Sequence, residues 1–457
     1  MKGGAGGLFA VALCASIAVV ACGGGARPVA ATPSPTILPQ VNIEGSPSTA
    51  TPSGESTPGN TAGLIADALR EASRIRELPA LGPVKGVALT RPEMAQHVKA
   101  TIEHEVPAAA VSDEGEMLVA LGVAPPGFDY MKATVSLMSA ELAGYYEPTE
   151  KTMYLASDLG PAERVATLSH ELIHALQDQH YDLGKLLAYE QDQSDVQSAL
   201  HALAEGDATS AMLDEMLVSK GAKATDLSDE LLGVQVRAAA QLGARADGVP
   251  DVLRRSMIAP YVDGILFVHW LRRRGGWTDV DGAWTSPPSS TEQLLHPDKY
   301  LAHEKPLVVP VPVAPDPSWP APEYTDVMGE ESIRLLLEEW LPRKPAEEAA
   351  QDWGGDRIVL LHAGGRVALG WHLRYDTLAA AKRVAAALTR GVAAQAGKQQ
   401  PGGHCVERPA VGPLLVAQRD RDIAVVAGPY QRDGVAPAGA DTCPQAALWA
   451  SKILAQH

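Results

Sequence analysis

Apolar residues recur at helical spacing over "TAGLIADALREASRIREL", with Thr61 as a cap. The next stretch, "TRPEMAQHVKATIEHEV", opens with Thr90, Pro92 and Glu93, a capping-box pattern with proline in the first turn. Residues 63–135 therefore read as helical. In "LAGYYEPTEKTMYLAS" two short Tyr-bearing runs flank "EPTEK", which predicts a hairpin. A helix follows from Pro161, its buried face marked by Val165, Leu168, Leu172, Ile173 and Leu176. A second long helix is expected from Ser194, capped with Gln197, to about Lys220.

After a Pro-rich stretch, "PLVVPVPVAPDPSWPAPEY", the pattern changes. A helix "EESIRLLLEEWL", a turn "DWGGD", strands "RIVLLHA" and "RVALGWHLRY", a helix from Thr377, strands near 411–427 and a last helix from Pro444 follow. The fold class is α+β: a mainly helical domain with a small sheet over 63–310, then a small α+β domain over 325–457.

The first residues change that picture only by subtraction. Lys2 precedes an apolar run from Leu8 to Ala21, too short for a confident membrane span and suited to an export signal over 1–21. The run ends in Val19-Val20-Ala21-Cys22, which resembles the bacterial lipobox. That resemblance implies cleavage before Cys22, lipidation of its sulfur, and a protein tethered to a bacterial membrane, facing outside the cytoplasm. Residues 22–62 are rich in Pro, Thr and Ser and lack the apolar surface to fold, so they read as a tether. Of four cysteines, Cys405 and Cys443 then remain, and outside the cytoplasm they are expected to form a bridge. The formal charge of −17 argues against nucleic acid as a partner.

The chemistry lies in "SHELIHALQDQH", Ser169 to His180. On a helix, residues four apart lie about 40° apart and one turn along the axis, so His170 and His174 can converge on one ion. Glu171, about 100° away, can reach a water on that ion without ligating it. With 13 histidines in the chain, about 0.02 copies of His-Glu-x-x-His are expected by chance. A catalytic zinc takes three protein ligands and keeps one position open. His180 falls where one zincin branch has its third histidine, but Gln177 stands where that branch has a glycine for the sharp turn. If the helix continues, His180 points about 240° away. The competitor is Glu205, in the next long helix.

Here the chain resembles the gluzincin metallopeptidases, in which a second helix packs on the first and supplies a glutamate. It is more closely similar to a group of exported bacterial zinc metallopeptidases, through "GYYEPTEKTMYL", "SHELIHALQDQHYDL", "ALAEGDAT", "PYVDGILFVHWLRRRGGW", "STEQLLHPDKY" and "DWGGDR". The resemblance implies a zincin-like fold and one Zn2+ held by His170, His174 and Glu205. It further implies Glu171 as the base, and a peptide or protein substrate. His201 and Thr209 share the helical face of Glu205, whereas Asp207 points elsewhere. For an oxyanion donor the candidates are His296, Tyr300 and Tyr261, with His296 preferred. Tyr145, Tyr146 and Tyr154 are candidates to line a substrate groove along the hairpin. The rival reading is a lipoprotein whose zincin domain serves as an inactive binding or assembly scaffold.

Overall fold

The computed structural model describes residues 58–241, 248–432 and 442–456. The expected export signal, Cys22 and most of the expected tether lie outside the described residues. No helix among the described residues is long and apolar enough to cross a membrane.

The N-terminal lobe is mainly helical. It runs through α1 (Pro58–Arg76), β1 (Lys85–Leu89), α2 (Arg91–Glu105), α3 (Ala108–Leu121), α4 (Tyr130–Glu141), β2 (Gly144–Glu147) and β3 (Thr152–Ala156). Then come α5 (Pro161–Tyr181), α6 (Leu183–Leu186), α7 (Ser194–Val218), α8 (Asp229–Gln241), α9 (Asp251–Gly275), α10 (Trp277–Thr285), α11 (Thr291–Leu295) and α12 (Pro297–Ala302). The C-terminal lobe adds β4 (Tyr324–Asp326), α13 (Gly329–Leu337), α14 (Arg343–Ala350), β5 (Trp353–Ala363), β6 (Arg366–Tyr375) and α15 (Leu378–Ala394). It closes with β7 (Lys398–Gln399), β8 (Cys405–Arg408), β9 (Gly412–Arg419), β10 (Asp422–Gln431) and α16 (Cys443–Ile453). The architecture is α+β, as the sequence pattern predicts.

Several expectations shift. Helix α1 starts at Pro58, inside the expected tether, because proline suits a first helical turn. The helical reading of 63–135 is interrupted by β1, which pairs parallel with β3 in a sheet ordered β1-β3-β2. At α2 the expected box forms: Glu93 accepts from Thr90 N at 2.8 Å and from its hydroxyl at 2.7 Å. The box expected at Ser194 does not. Ser194 Oγ instead donates to Asp326 of β4 at 2.5 Å, and Gln197 Nε2 to Ala188 O at 2.6 Å.

The second sheet has the order β4-β5-β6-β10-β9-β8-β7, with every pairing antiparallel. Its central strands are continuous apolar runs because both faces are covered. In β5, Ile358 and Leu360 face the main core, while Val359 and Leu361 face a second core with Trp449 of α16. A disulfide joins Cys405 of β8 to Cys443 of α16.

Two corrections concern the border between the lobes. "DWGGD" is not simply a turn: Trp353 through Asp356 begin β5 and are buried. A Cβ on Gly355 would lie 2.3 Å from the carbonyl oxygen of Leu307, so glycine lets the Pro-rich segment press onto the strand. That segment belongs to the C-terminal lobe. Leu307 N donates to Gly354 O at 2.6 Å, and Val313 O accepts from Trp449 Nε1 at 2.7 Å. The lobes are not independent cores either, since one buried apolar cluster runs from Ile65 to Tyr430.

Candidate metal centre

Helix α5 is set by local sequence at both ends. Glu163 accepts from Gly160 N at 2.9 Å at its start. Asp182, in the left-handed region at φ 59°, ends it. No breaker lies between, so the helix runs through "ALQDQ" as expected. Leu168, Leu172, Ile173 and Leu176 are buried on it; Val165, expected on the same face, is exposed one turn from the start. His180 is carried away, and its Nε2 meets the carbonyl oxygen of Pro79 at 2.7 Å.

Helix α7 packs against α5 and is fixed in depth from behind. A Cβ on Gly206 would lie 2.2 Å from the backbone of Gly264 in α9, so the two helices cross in direct backbone contact. Asp207 locks the same turn. It accepts from Arg76 Nε at 2.5 Å and from Trp284 Nε1 at 2.9 Å, so it faces away from the histidines, as its helical angle predicts.

Between these helices His170, His174 and Glu205 converge, all fully buried, with candidate ligand atoms within 4.8 Å of one another. His170 Nε2 lies 3.0 Å from Glu205 Oε2 and 3.1 Å from His174 Nε2. His174 Nε2 lies 3.6 Å from Glu205 Oε2. Ligand atoms about 2.0–2.1 Å from a tetrahedral zinc sit about 3.3–3.4 Å from each other, so this triangle has the right size. Two ring nitrogens at 3.1 Å also repel unless a proton or cation lies between them. The residues present fit a zinc ion.

Electrostatics couple the same groups. Burial opposes the Glu205 charge, but His174 foremost, with His170 and His201, outweighs it and holds the carboxyl well below its ordinary range. Burial lowers His170. For His174 burial also acts downward, but the Glu205 charge and the bonds to Glu205 and Gln177 turn the net shift upward. Glu171 is pushed well above the usual carboxylate range, first by burial and then by the charge of Glu205. Its Oε2 accepts from Tyr146 N at 3.0 Å, and its Oε1 has no hydrogen-bond partner among the described residues. A buried carboxyl with one free oxygen beside three converging ligands suits a proton carrier.

The surroundings sort the other candidates. His201 Nε2 lies 3.2 Å from Glu205 Oε1 and orients the carboxylate. Thr209 has no partner for its hydroxyl among the described residues. Tyr261 places its ring against His170, with centroids 6.0 Å apart. His296, the preferred oxyanion donor, is engaged elsewhere: its Nε2 meets Glu330 of α13 at 2.8 Å, and it does not line the cavity beside the ligands. Tyr300 donates to Ser286 O at 2.8 Å. Tyr145 and Tyr154 stack 5.0 Å apart, each ring lying beside His97, and so pack away from the site; Tyr146 alone of the three lines the cavity.

A feature that the sequence does not announce is closure. The cavity over His174 and Glu205 holds about 10 Å³, roughly one water, and is walled by Tyr146, Pro148, Leu183 and Leu187. The last two belong to residues 182–193, a strap that joins α5 to α7 and passes over the ligands. Its far end is tied to the C-terminal lobe, where Asp192 pairs with Arg357 of β5 and accepts from the Thr325 hydroxyl at 2.9 Å. Two further clusters could hold a cation by composition. In Glu292, Glu304 and Asp376 the positive charge is already Lys299, 2.6–2.9 Å from each. Around Asp113, Glu116 and His362, Arg432 pairs with Glu116.

Comparison with known proteins adds one match. Residues 321–436 match the family described as "Domain of unknown function (DUF8575)". That stretch holds all seven strands of the C-terminal sheet and contains Arg357, but none of the converging ligands. No curated protein and no solved structure matches the chain.

Proposed function

We propose that this chain is a zinc-dependent peptidase of gluzincin type, anchored through Cys22 to a bacterial membrane and acting on peptide or protein outside the cytoplasm. One observation carries the reading: His170, His174 and Glu205 form a buried triangle of zinc-ligand dimensions, and Glu171, buried between the two histidines and within reach of the Glu205 charge, keeps Oε1 without a partner among the described residues. Two packed helices, the first bearing His-Glu-x-x-His and the second the glutamate, support a zincin-like fold.

Zinc on this set supplies a Lewis acid for activating water. The chain's own residues do the rest. Tyr146 N–H holds one oxygen of Glu171, leaving Oε1 to take a proton from the attacking water and return it to the leaving amine. With His296 held by Glu330, Tyr261, whose ring lies against His170, is the remaining candidate of the three to steady charge developing on the carbonyl oxygen.

The closed cavity favours a second reading, a zinc-binding scaffold that does not turn over substrate. Zinc content and cleavage of casein or a peptide library by the full-length chain separate the two. The peptidase reading expects about one zinc per chain, lost in Glu205→Ala and kept in His180→Ala, together with hydrolysis. Zinc retained in Glu205→Ala overturns the ligand set. Full zinc with no hydrolysis selects the scaffold.

A further inference from the structure

We infer that Gln177 is a positioning residue for this centre: it fixes His174 in the tautomer that offers Nε2, and it ties that ring to the backbone that carries Glu205. The inference rests on the zinc reading above and extends it to a residue outside the ligand set.

Gln177 is completely buried on α5, one turn beyond His174. Its Nε2 lies 3.1 Å from the carbonyl oxygen of Ala204 in α7. A carbonyl can only accept, so the amide group must turn its NH2 toward Ala204. Its Oε1 is then the atom 2.8 Å from His174 Nδ1. An amide oxygen can only accept as well, so Nδ1 carries a proton, and in the neutral ring, the form that binds a metal, Nε2 is left with its lone pair. That lone pair faces His170 Nε2 and Glu205 Oε2. Ala204 immediately precedes Glu205, so a single side chain spans from one ligand to the residue beside another. Gln177 stands where the extended histidine motif of one zincin branch has its turn-forming glycine. The glutamine keeps the helix going and occupies the space behind the ring. Partners of this kind set ligand orientation and basicity, and their loss typically weakens metal binding about 10–100-fold.

The test uses the full-length chain and zinc itself. Zinc affinity is measured by competition with a chromophoric chelator for the unaltered protein, Gln177→Leu and Gln179→Leu. Gln179 is the control: its amide lies on the same helix but bonds Leu81 and Gly82. Gln177→Leu is expected to weaken zinc about 10–100-fold, and Gln179→Leu to change it less than about two-fold. Equal affinity in Gln177→Leu, or an equal loss in Gln179→Leu, overturns the inference. A second measurement needs no variant. In the zinc-loaded protein, 15N spectra of the histidine rings are expected to show His174 protonated at Nδ1 and metal-bound at Nε2; the reverse pattern overturns the inference. If the unaltered chain binds no zinc, the function proposed above fails and takes this inference with it. If it binds zinc and only Gln177 proves indifferent, the function stands alone.

Discussion

The backbone N–H of Tyr146 donates to Oε2 of Glu171 at 3.0 Å, joining the hairpin to the residue between the two histidines. A glutamine at 171 can still accept this bond but cannot carry a proton. Glu171→Gln should therefore keep its zinc and its melting temperature while peptide hydrolysis falls about 10²–10⁴-fold. Zinc content, calorimetry and initial rates on one preparation check this. Unchanged hydrolysis would remove Glu171 from the mechanism.

Asp263 of α9 pairs with Arg334 of α13 across the two lobes, and both side chains are buried. Asp263→Ala leaves the buried guanidinium only Glu338, at 3.4 Å, as an ion-pair partner among the described residues and should cost at most about 3–5 kcal/mol. Because the lobes share one apolar core, urea unfolding should remain a single transition in the variant, shifted to lower denaturant. Two separate transitions would show that the lobes stand independently.

Acidity should also matter. Asp195 and Asp326 are both pushed up to about 7, chiefly by burial, against an ordinary value near 3.9 when unfolded. Between these values the folded chain binds more protons than the unfolded one, so stability falls as pH rises from about 4 to 7 and then levels off. The melting temperature should therefore be higher at pH 5 than at pH 7.5, and Asp195→Asn should flatten the slope. A melting temperature that rises over this range would contradict the burial of these groups.

The strap predicts slow metal exchange. Arg357→Met removes the partner of Asp192 and loosens the strap without touching a ligand. A half-exposed pair of this kind is worth at most about 1 kcal/mol, so zinc removal by a chelator should speed up about two- to five-fold. Zinc affinity at equilibrium should change less than the rate does. An unchanged rate would mean that zinc does not leave past this strap.

What could be read from the sequence follows the range of the forces involved. His170, Glu171 and His174 share one helix whose caps and apolar stripe are local, so their convergence is legible. Glu205 was legible only through resemblance, because its approach depends on how α7 packs, and that depends on a Gly206–Gly264 crossing between distant segments. "DWGGD" looked like a turn because its glycines answer to the Leu307 carbonyl, a contact that no local pattern records. His296 looked free for catalysis because its partner, Glu330, lies beyond the Pro-rich stretch. Gln177 was visible only as an absence of glycine; its bond to Ala204 exists only once α5 and α7 meet.

The strap over the ligands is continuous at both ends with the helices that bear them. A cover attached along only one edge swings aside like a door. One held at both ends can only bow outward, and only as far as its twelve or so residues allow. Such an opening would be a slot between two fixed ends, a shape better suited to an extended chain than to a folded surface. If the centre cuts peptide bonds, its clients are loose tails and unfolded segments, and intact neighbouring proteins are spared by shape alone.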